Sequence, residues 1–329
     1  MRVSINLTNY SWPAGPGGLG ARLAGAAEEA GVDTVWVPDH LLQADPTAAP
    51  GDTEMLEAYT TLGFLVARTE RVRLGTMVSG VTFRPPALLV KAVTTLDVLS
   101  GGRAWLGLGA GYHGEEADAM GLPLPPVAER FQRLEETLRI AAQMWAGDDA
   151  PFEGRHYRLG RPAGSPLPIQ RPRPPVLIGG TGERKTLRLV AQYADACNLF
   201  DIPDGGRTVK HKLEVLARHC EQVGRPYDQI EKTLSTRLEA GETSDAFARR
   251  CEAAAALGIE HMVVLTSSPW TAEALSTLAA AITILRQAGS PPPDSGDYAE
   301  IWRATRPPMA AQAPASPCRR LRALERAPA

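Results

Sequence analysis

A carboxylate and an imidazole stand side by side at Asp39 and His40, directly after the run Val35, Trp36 and Val37. That run has the β-branched and aromatic make-up of a buried strand. Pro38 ends it, because proline has no N–H for a sheet ladder. An acid and a base at the mouth of a buried strand suit proton transfer, and an α/β barrel keeps its chemistry there. A plainer reading also fits the pair: Asp39 caps a turn and His40 lies on the surface. A second candidate is Gly179, Gly180, Thr181 and Gly182, between an apolar run and a helix beginning near Glu183. Backbone N–H groups at such a helix start attract anions, and Thr181 adds a hydroxyl donor. With Arg184 and Lys185 next to it, this stretch reads as a phosphate cradle. A third is GLGAG, where Gly107, Gly109 and Gly111 follow an apolar strand. Backbone without Cβ can approach a flat or anionic ligand, or pack tightly at a barrel corner. The spacing is GxGxG, not the GxGxxG of a dinucleotide fingerprint.

The elements that position these residues alternate regularly. Strands are expected at 3–7, 33–37, 72–78, 104–108, 176–178, 196–200, 230–237 and 261–265. Helices are expected at 19–30, 54–69, 85–99, 127–145, 184–193, 208–223, 244–257 and 271–287. Eight strands, each followed by a helix, point to an α/β fold, a (β/α)8 TIM barrel. A doubly wound sheet would need a glycine fingerprint after the first strand, and SWPAGPGG is a poor match. The loop 42–53 is breaker-rich and long enough to overhang a site. The stretch 147–175 is rich in proline and is read as an irregular insertion between strands four and five, with FEGRHYRL as a short hairpin arm. The barrel domain spans 1–289. From 290 to 329 the composition turns to proline, alanine and arginine without periodicity, and this tail is expected to be mobile and dispensable. The strand ends then carry Asn6, Asp39, His40, Ser79, Tyr112, His113, Thr181, Asn198, Asp201, Arg237 and Thr266.

Composition narrows the partners. The 329 residues are 44% hydrophobic, enough for a large core. A net charge of −2 and a pI near 6.3 give no electrostatic reason to expect nucleic acid or a membrane surface. No apolar run reaches the ~18 residues of a membrane helix. Cys197, Cys220, Cys251 and Cys318 lack CxxC spacing, so neither disulfides nor zinc is expected and a reducing cytoplasm is. The six histidines form no HExxH pair, and no metal is implied.

Six stretches recur in a familiar order: WVPDH, LGTMVS, WLGLGAGYHGEE, ERFQRLEETL, FEGRHYRL and PPVLIGGTGERKTLRLVAQYADACNLF. Together they resemble the bacterial luciferase-like monooxygenase superfamily, and within it the branch using the deazaflavin coenzyme F-420. The resemblance covers about residues 1–285. It implies a (β/α)8 barrel with an insertion, usually dimeric, with the cofactor across the strand ends. The cofactor phosphate is then expected on Gly179, Gly180, Thr181 and Gly182, and Asp39 and His40 beside the ring. Thr76, Met77, Val78 and Ser79 would support the ring, with a non-proline cis peptide at Met77–Val78 or Val78–Ser79. Gly109, Gly111 and Tyr112 complete the implied cofactor contacts. The similar F-420-dependent glucose-6-phosphate dehydrogenases carry a glutamate acid where this chain has Tyr112, so sugar phosphate oxidation is not expected. Glu115 and Glu116 lie near that position but out of register.

The leading expectation is an F-420-dependent oxidoreductase moving a hydride between the deazaflavin and a small organic substrate. His40 is the candidate for proton transfer, with Asp39 bonding the ring or holding His40. Tyr112 and His113 are further polar candidates. A homodimer and a separate cofactor-reducing enzyme are the expected partners. Two alternatives stay open: an FMN-dependent monooxygenase fed reduced flavin, and a non-catalytic flavin-binding barrel.

Overall fold

The computed structural model describes residues 1–287. The tail read from 290 onward, and the last two residues assigned to the barrel, lie outside the described residues. Strand and helix alternate as β1 (Arg2–Asn6), α1 (Pro16–Glu29), β2 (Thr34–Val37), α2 (Ala58–Val66), β3 (Arg73–Thr76), β4 (Ser79–Gly80), α3 (Pro86–Leu99), β5 (Leu106–Gly109), α4 (Gly114–Met120) and α5 (Val127–Trp145). The hairpin of β6 (Phe152–Glu153) and β7 (Arg158–Leu159) follows. Then come β8 (Val176–Gly179), α6 (Thr186–Tyr193), β9 (Ala196–Phe200), α7 (Arg207–Val223), β10 (Glu231–Arg237), α8 (Ser244–Ala256), β11 (His261–Leu265) and α9 (Ala272–Gln287).

The large sheet runs β3-β2-β1-β11-β10-β9-β8-β5-β4, with parallel pairings throughout. It closes on itself. Ser79 and Gly80 pair with Leu108 and Gly109, and Leu74 bridges to Ala104. The short β4 therefore continues the third stave, and nine strands make the eight staves of a (β/α)8 barrel. The third strand divides at Met77–Val78, whose peptide bond is cis, one of the two positions expected.

Two hydrophobic cores result. The larger lies between staves and helices, where Leu89, Val90 and Val93 of α3 and Leu134, Ile140 and Trp145 of α5 are buried. The smaller fills the barrel itself: Trp36, Trp105, Leu177, Ala196 and Val263, with Met77 and Val78 resting on it. Period-two alternation along each strand sends these side chains inward. The two indoles meet edge-on at 5.7 Å, and Trp36 Nε1 donates to Ser4 Oγ at 3.1 Å. At the amino-terminal end of the staves the charges are paired. Arg2 and His261 both bind Glu231, at 2.9 and 2.7 Å, and Arg73 binds Asp33. Burial opposes ionisation of Glu231, but the His261 hydrogen bond and the neighbouring cations outweigh it and hold its carboxyl below the ordinary range.

Buried carboxylates order the proline-rich insertion. Glu136 accepts the N–H groups of Arg155, His156 and Tyr157, and Asp97 accepts those of Ile169 and Gln170. The hairpin matches the expected arm. The helix expected from residue 54 begins only at Ala58, because the Glu57 carboxylate accepts Thr60 N–H at 2.7 Å and caps it there. Among the described residues no helix is long and apolar enough to cross a membrane.

Candidate active site

The carboxyl-terminal ends of the staves surround a cavity of about 690 Å³. Asn6, Asp39, His40, Met77, Val78, Gly109, Gly111, Tyr112, His113, Gly179, Gly180, Asn198 and Arg237 all lie on its wall. Thus the strand ends do converge, including the Asp39–His40 pair.

The histidine has a different partner from the one its sequence neighbour suggests. His40 Nδ1 lies 2.8 Å from Glu116 Oε2. Glu116 is fully buried, and its Oε1 accepts the N–H groups of Leu41 and Leu42. An ionised carboxylate only accepts, so it selects the Nδ1–H form of His40 and leaves the Nε2 lone pair free. Helix α4 makes the contact possible. His113 caps it, its Nδ1 accepting Glu116 N–H at 3.1 Å, and one turn later Glu116 reaches back under the β2 loop. Glu116 is therefore part of the site, although its position along the strand-end loop is out of register. The rings of His40, Tyr112 and His113 pack edge-on at 5.6–5.9 Å. Desolvation, and after it the Glu116 and Asp45 carboxylates, raise the Tyr112 hydroxyl, which stays a neutral donor near pH 7.

Asp39 does not hold His40. It is buried against Arg84, which grips both carboxylate oxygens and also reaches Glu57. Arg84 lies 4.8 Å over the Tyr59 ring. Burial, then the Asp39 charge, push the Tyr59 hydroxyl up to about 12. Tyr59 in turn contacts Ser79 Oγ at 3.2 Å, Ser79 donates to Thr76 Oγ1, and Thr76 donates to the Gly107 carbonyl, each at 3.1 Å. Thr76 and Ser79, expected at the cofactor, thus stand behind the wall and brace it, while Met77 and Val78 face the cavity. Two successive residues face one cavity because the strand pleat lapses between the end of β3 and the start of β4.

The glycines divide in the same way. A Cβ at Gly109 would lie 2.8 Å from Val78 Cγ2, and one at Gly179 would lie 2.9 Å from the Val78 methyls. Close packing around Val78 is what these two positions require. Gly180 has φ +111°, which L side chains rarely adopt, and Thr186 of α6 lies beneath it on the wall. Thr181 and Gly182 lie off the wall on the approach to α6, where the Gly182 carbonyl accepts Leu187 N–H.

Over the mouth runs the long β2–α2 loop. Arg237 clasps Asp45 through both oxygens at 2.8 and 2.9 Å, and Gln43 donates to the Thr8 carbonyl. Two polar atoms of wall residues are buried without a partner, Asn6 Oδ1 and Arg130 Nε.

A strand-end cavity holding a histidine–carboxylate pair defines an enzyme-type (β/α)8 barrel. The chain belongs to the luciferase-like monooxygenase family, whose sequence pattern matches residues 14–307. It is 34% identical over 238 residues to the F420-dependent glucose-6-phosphate dehydrogenase of Kineococcus radiotolerans, across 69% of this chain and 65% of that protein. The enzyme of the same name from Microbacterium testaceum is 34% identical over 215 residues, 64% of this chain and 61% of that protein. The chain thus spans just under two thirds of these relatives. In fold it is similar to an F420-dependent secondary alcohol dehydrogenase in complex with an F420-acetone adduct. That likeness has a TM-score of 0.70 at 19% identity over 87% of this chain and all of the other. It is also similar to the long-chain alkane monooxygenase LadA, with a TM-score of 0.71 at 13% identity over 92% and 95% of the two chains.

Proposed function

We propose that the protein is a coenzyme F-420-dependent oxidoreductase transferring a hydride between the deazaflavin and a small organic substrate. The observation that carries this reading is the His40–Glu116 pair on the wall of the strand-end cavity. The relatives at 34% identity, both named F420-dependent, supply the cofactor class. The residues fit such a ligand. The cavity falls within the ~300–1,000 Å³ of small-molecule sites. Met77 and Val78 offer a ring an apolar seat backed by the tryptophan pair. Asn6 and Arg130 add an amide and a cation to the cavity wall.

When bound, the deazaflavin supplies the carbon that carries the hydride. The chain's own groups manage the proton and the position. His40 Nε2 takes a proton from an alcohol or gives one to a developing alkoxide. Glu116 holds the imidazole in that tautomer and balances its charge when it is protonated. Arg84 keeps Asp39 fixed as part of the wall. Tyr112 offers a neutral hydroxyl, and its standing in the β5–α4 loop where the similar glucose-6-phosphate dehydrogenases carry a glutamate argues against sugar phosphate oxidation. On the family's pattern, a cytoplasmic homodimer served by a separate cofactor-reducing enzyme completes the proposal.

Fluorescence titration of the purified protein with F-420 and with FMN tests this directly. Tight F-420 binding with weak FMN binding is expected; the reverse would overturn the cofactor assignment in favour of a flavin monooxygenase. Binding of F-420 with no hydride exchange across a panel of alcohols and ketones would favour a non-catalytic barrel.

On this reading the cofactor phosphate sits on the turn Gly179, Gly180, Thr181 and Gly182 that leads into α6. Gly180→Val strains a backbone at φ +111° and brings a branched side chain against Thr186 at the start of α6. The expected result is at least ~10-fold weaker F-420 binding, one unit of 1.4 kcal/mol, with the far-UV spectrum retained. Unchanged affinity would move the phosphate elsewhere.

A further inference from the structure

One end of the cavity holds a cation that no carboxylate among the described residues pairs with. Arg130 sits in the first turn of α5, is 9% exposed, and lines the cavity beside Phe131. One terminal nitrogen donates to the Gly111 carbonyl, and Nε is buried with no partner. The carboxylates of the cavity wall are committed elsewhere: Asp39 to Arg84, Asp45 to Arg237, Glu116 to His40. So are acids of α5 itself, Glu129 to Arg133 and Glu135 to Arg188. Nε itself is shut off from the cavity, so what an anion there would meet is the guanidinium charge, which none of these carboxylates balances.

The neighbouring element indicates which ligand. Lys185 Nζ lies 5.2 Å over the Phe131 ring, which sets the start of α6 beside the start of α5. Gly180 and Thr186, at that helix start, face the same cavity as Arg130. A helix N-terminus and a guanidinium on the wall of one cavity suit a phosphate ester, which accepts from both.

We propose that Arg130 pairs with the phosphate of the bound cofactor, so that its guanidinium and the α6 turn form one anion site. This rests on the deazaflavin reading above. A phosphorylated substrate would present the same chemistry, and the test separates the two.

Arg130→Gln and Arg130→Lys are titrated by fluorescence with F-420 and with the same deazaflavin ending at its ribityl hydroxyl, which has no phosphate. Binding of glucose 6-phosphate is measured in parallel. For Arg130→Gln, F-420 affinity falls ~10–100-fold, the range for charge-assisted hydrogen bonds, while affinity for the phosphate-free ligand is retained. Arg130→Lys keeps part of the loss at bay, because the charge remains. Rising salt weakens F-420 binding to the parent protein more than to Arg130→Gln. Equal losses for both deazaflavins would show that Arg130 only shapes the cavity through Gly111, and would overturn the proposal. So would unchanged F-420 affinity, or a loss confined to glucose 6-phosphate. If neither deazaflavin binds the parent protein, the cofactor reading fails and takes this inference with it; the other outcomes leave that reading standing.

Discussion

His40→Ala lowers turnover by ~10²–10⁴-fold, the usual contribution of a positioned acid or base. The imidazole is half-buried, its Nδ1 is committed to Glu116, and its other nitrogen is available at the cavity wall. Removing it deletes the proton partner for alcohol or alkoxide and leaves the apolar seat and the α6 turn untouched. Cofactor affinity therefore changes far less than the rate, so the loss appears in kcat. Glu116→Gln is the companion measurement. The amide keeps the shape but can present an N–H to His40, which disturbs the tautomer; a smaller kcat loss and an altered pH profile are expected. Full turnover of His40→Ala on a substrate the parent protein uses would remove the histidine from the mechanism.

Gly107→Ala unfolds the protein more readily than any cavity substitution proposed above. A Cβ at residue 107 would stand 1.8 Å from the Thr76 carbonyl oxygen and 2.9 Å from its carbon. Those atoms are backbone and cannot swing aside, and they belong to the seam where β3 and β4 meet β5 and the barrel closes. Relief requires the seam to open. The expected cost is about 3 kcal/mol or more, a fall in Tm of roughly 5–10 °C. Gly63→Ala is the control. This exposed α2 glycine has open space around its missing Cβ, and alanine there is expected to leave Tm unchanged or raise it slightly. A Gly107→Ala protein melting with the parent would show that the seam is looser than its backbone contacts imply.

The alternation of apolar strands and amphipathic helices made the barrel legible, because each period reports which face is buried. Helix α5 and strands β9 and β11 fall where their patterns put them. The edges shifted where a side chain intervened, as when the Glu57 cap started α2 four residues late. Residues at strand ends were equally legible. What the sequence did not display was pairing across the fold. Glu116, Arg84 and Arg130 enter the cavity region from helices and loops that fold back over it, and nothing in their local spacing marks them as neighbours of His40, Asp39 or Gly111. Thr76 and Ser79 are buried off the cavity wall that Met77 and Val78 line, and the break between β3 and β4 that decides which residues face inward is not marked by the motif. At Gly109 and Gly179 the choice between ligand approach and tight packing turned on where Val78 points, and that only three dimensions fix.

The tryptophan pair beneath Met77 and Val78 makes the cavity a cul-de-sac. With Trp36, Trp105, Leu177, Ala196 and Val263 filling the barrel's middle, no passage runs along its axis, and traffic enters and leaves by the rim spanned by the Asp45–Arg237 clasp. On the proposed function, a ring seated on Met77 and Val78 would occupy the blind end, and a substrate at His40 would stand between it and solvent. Last in is first out. On the proposed function, turnover would then follow a compulsory order, with product departing before the spent cofactor can be exchanged, and a surplus of substrate would trap that spent cofactor and slow the cycle.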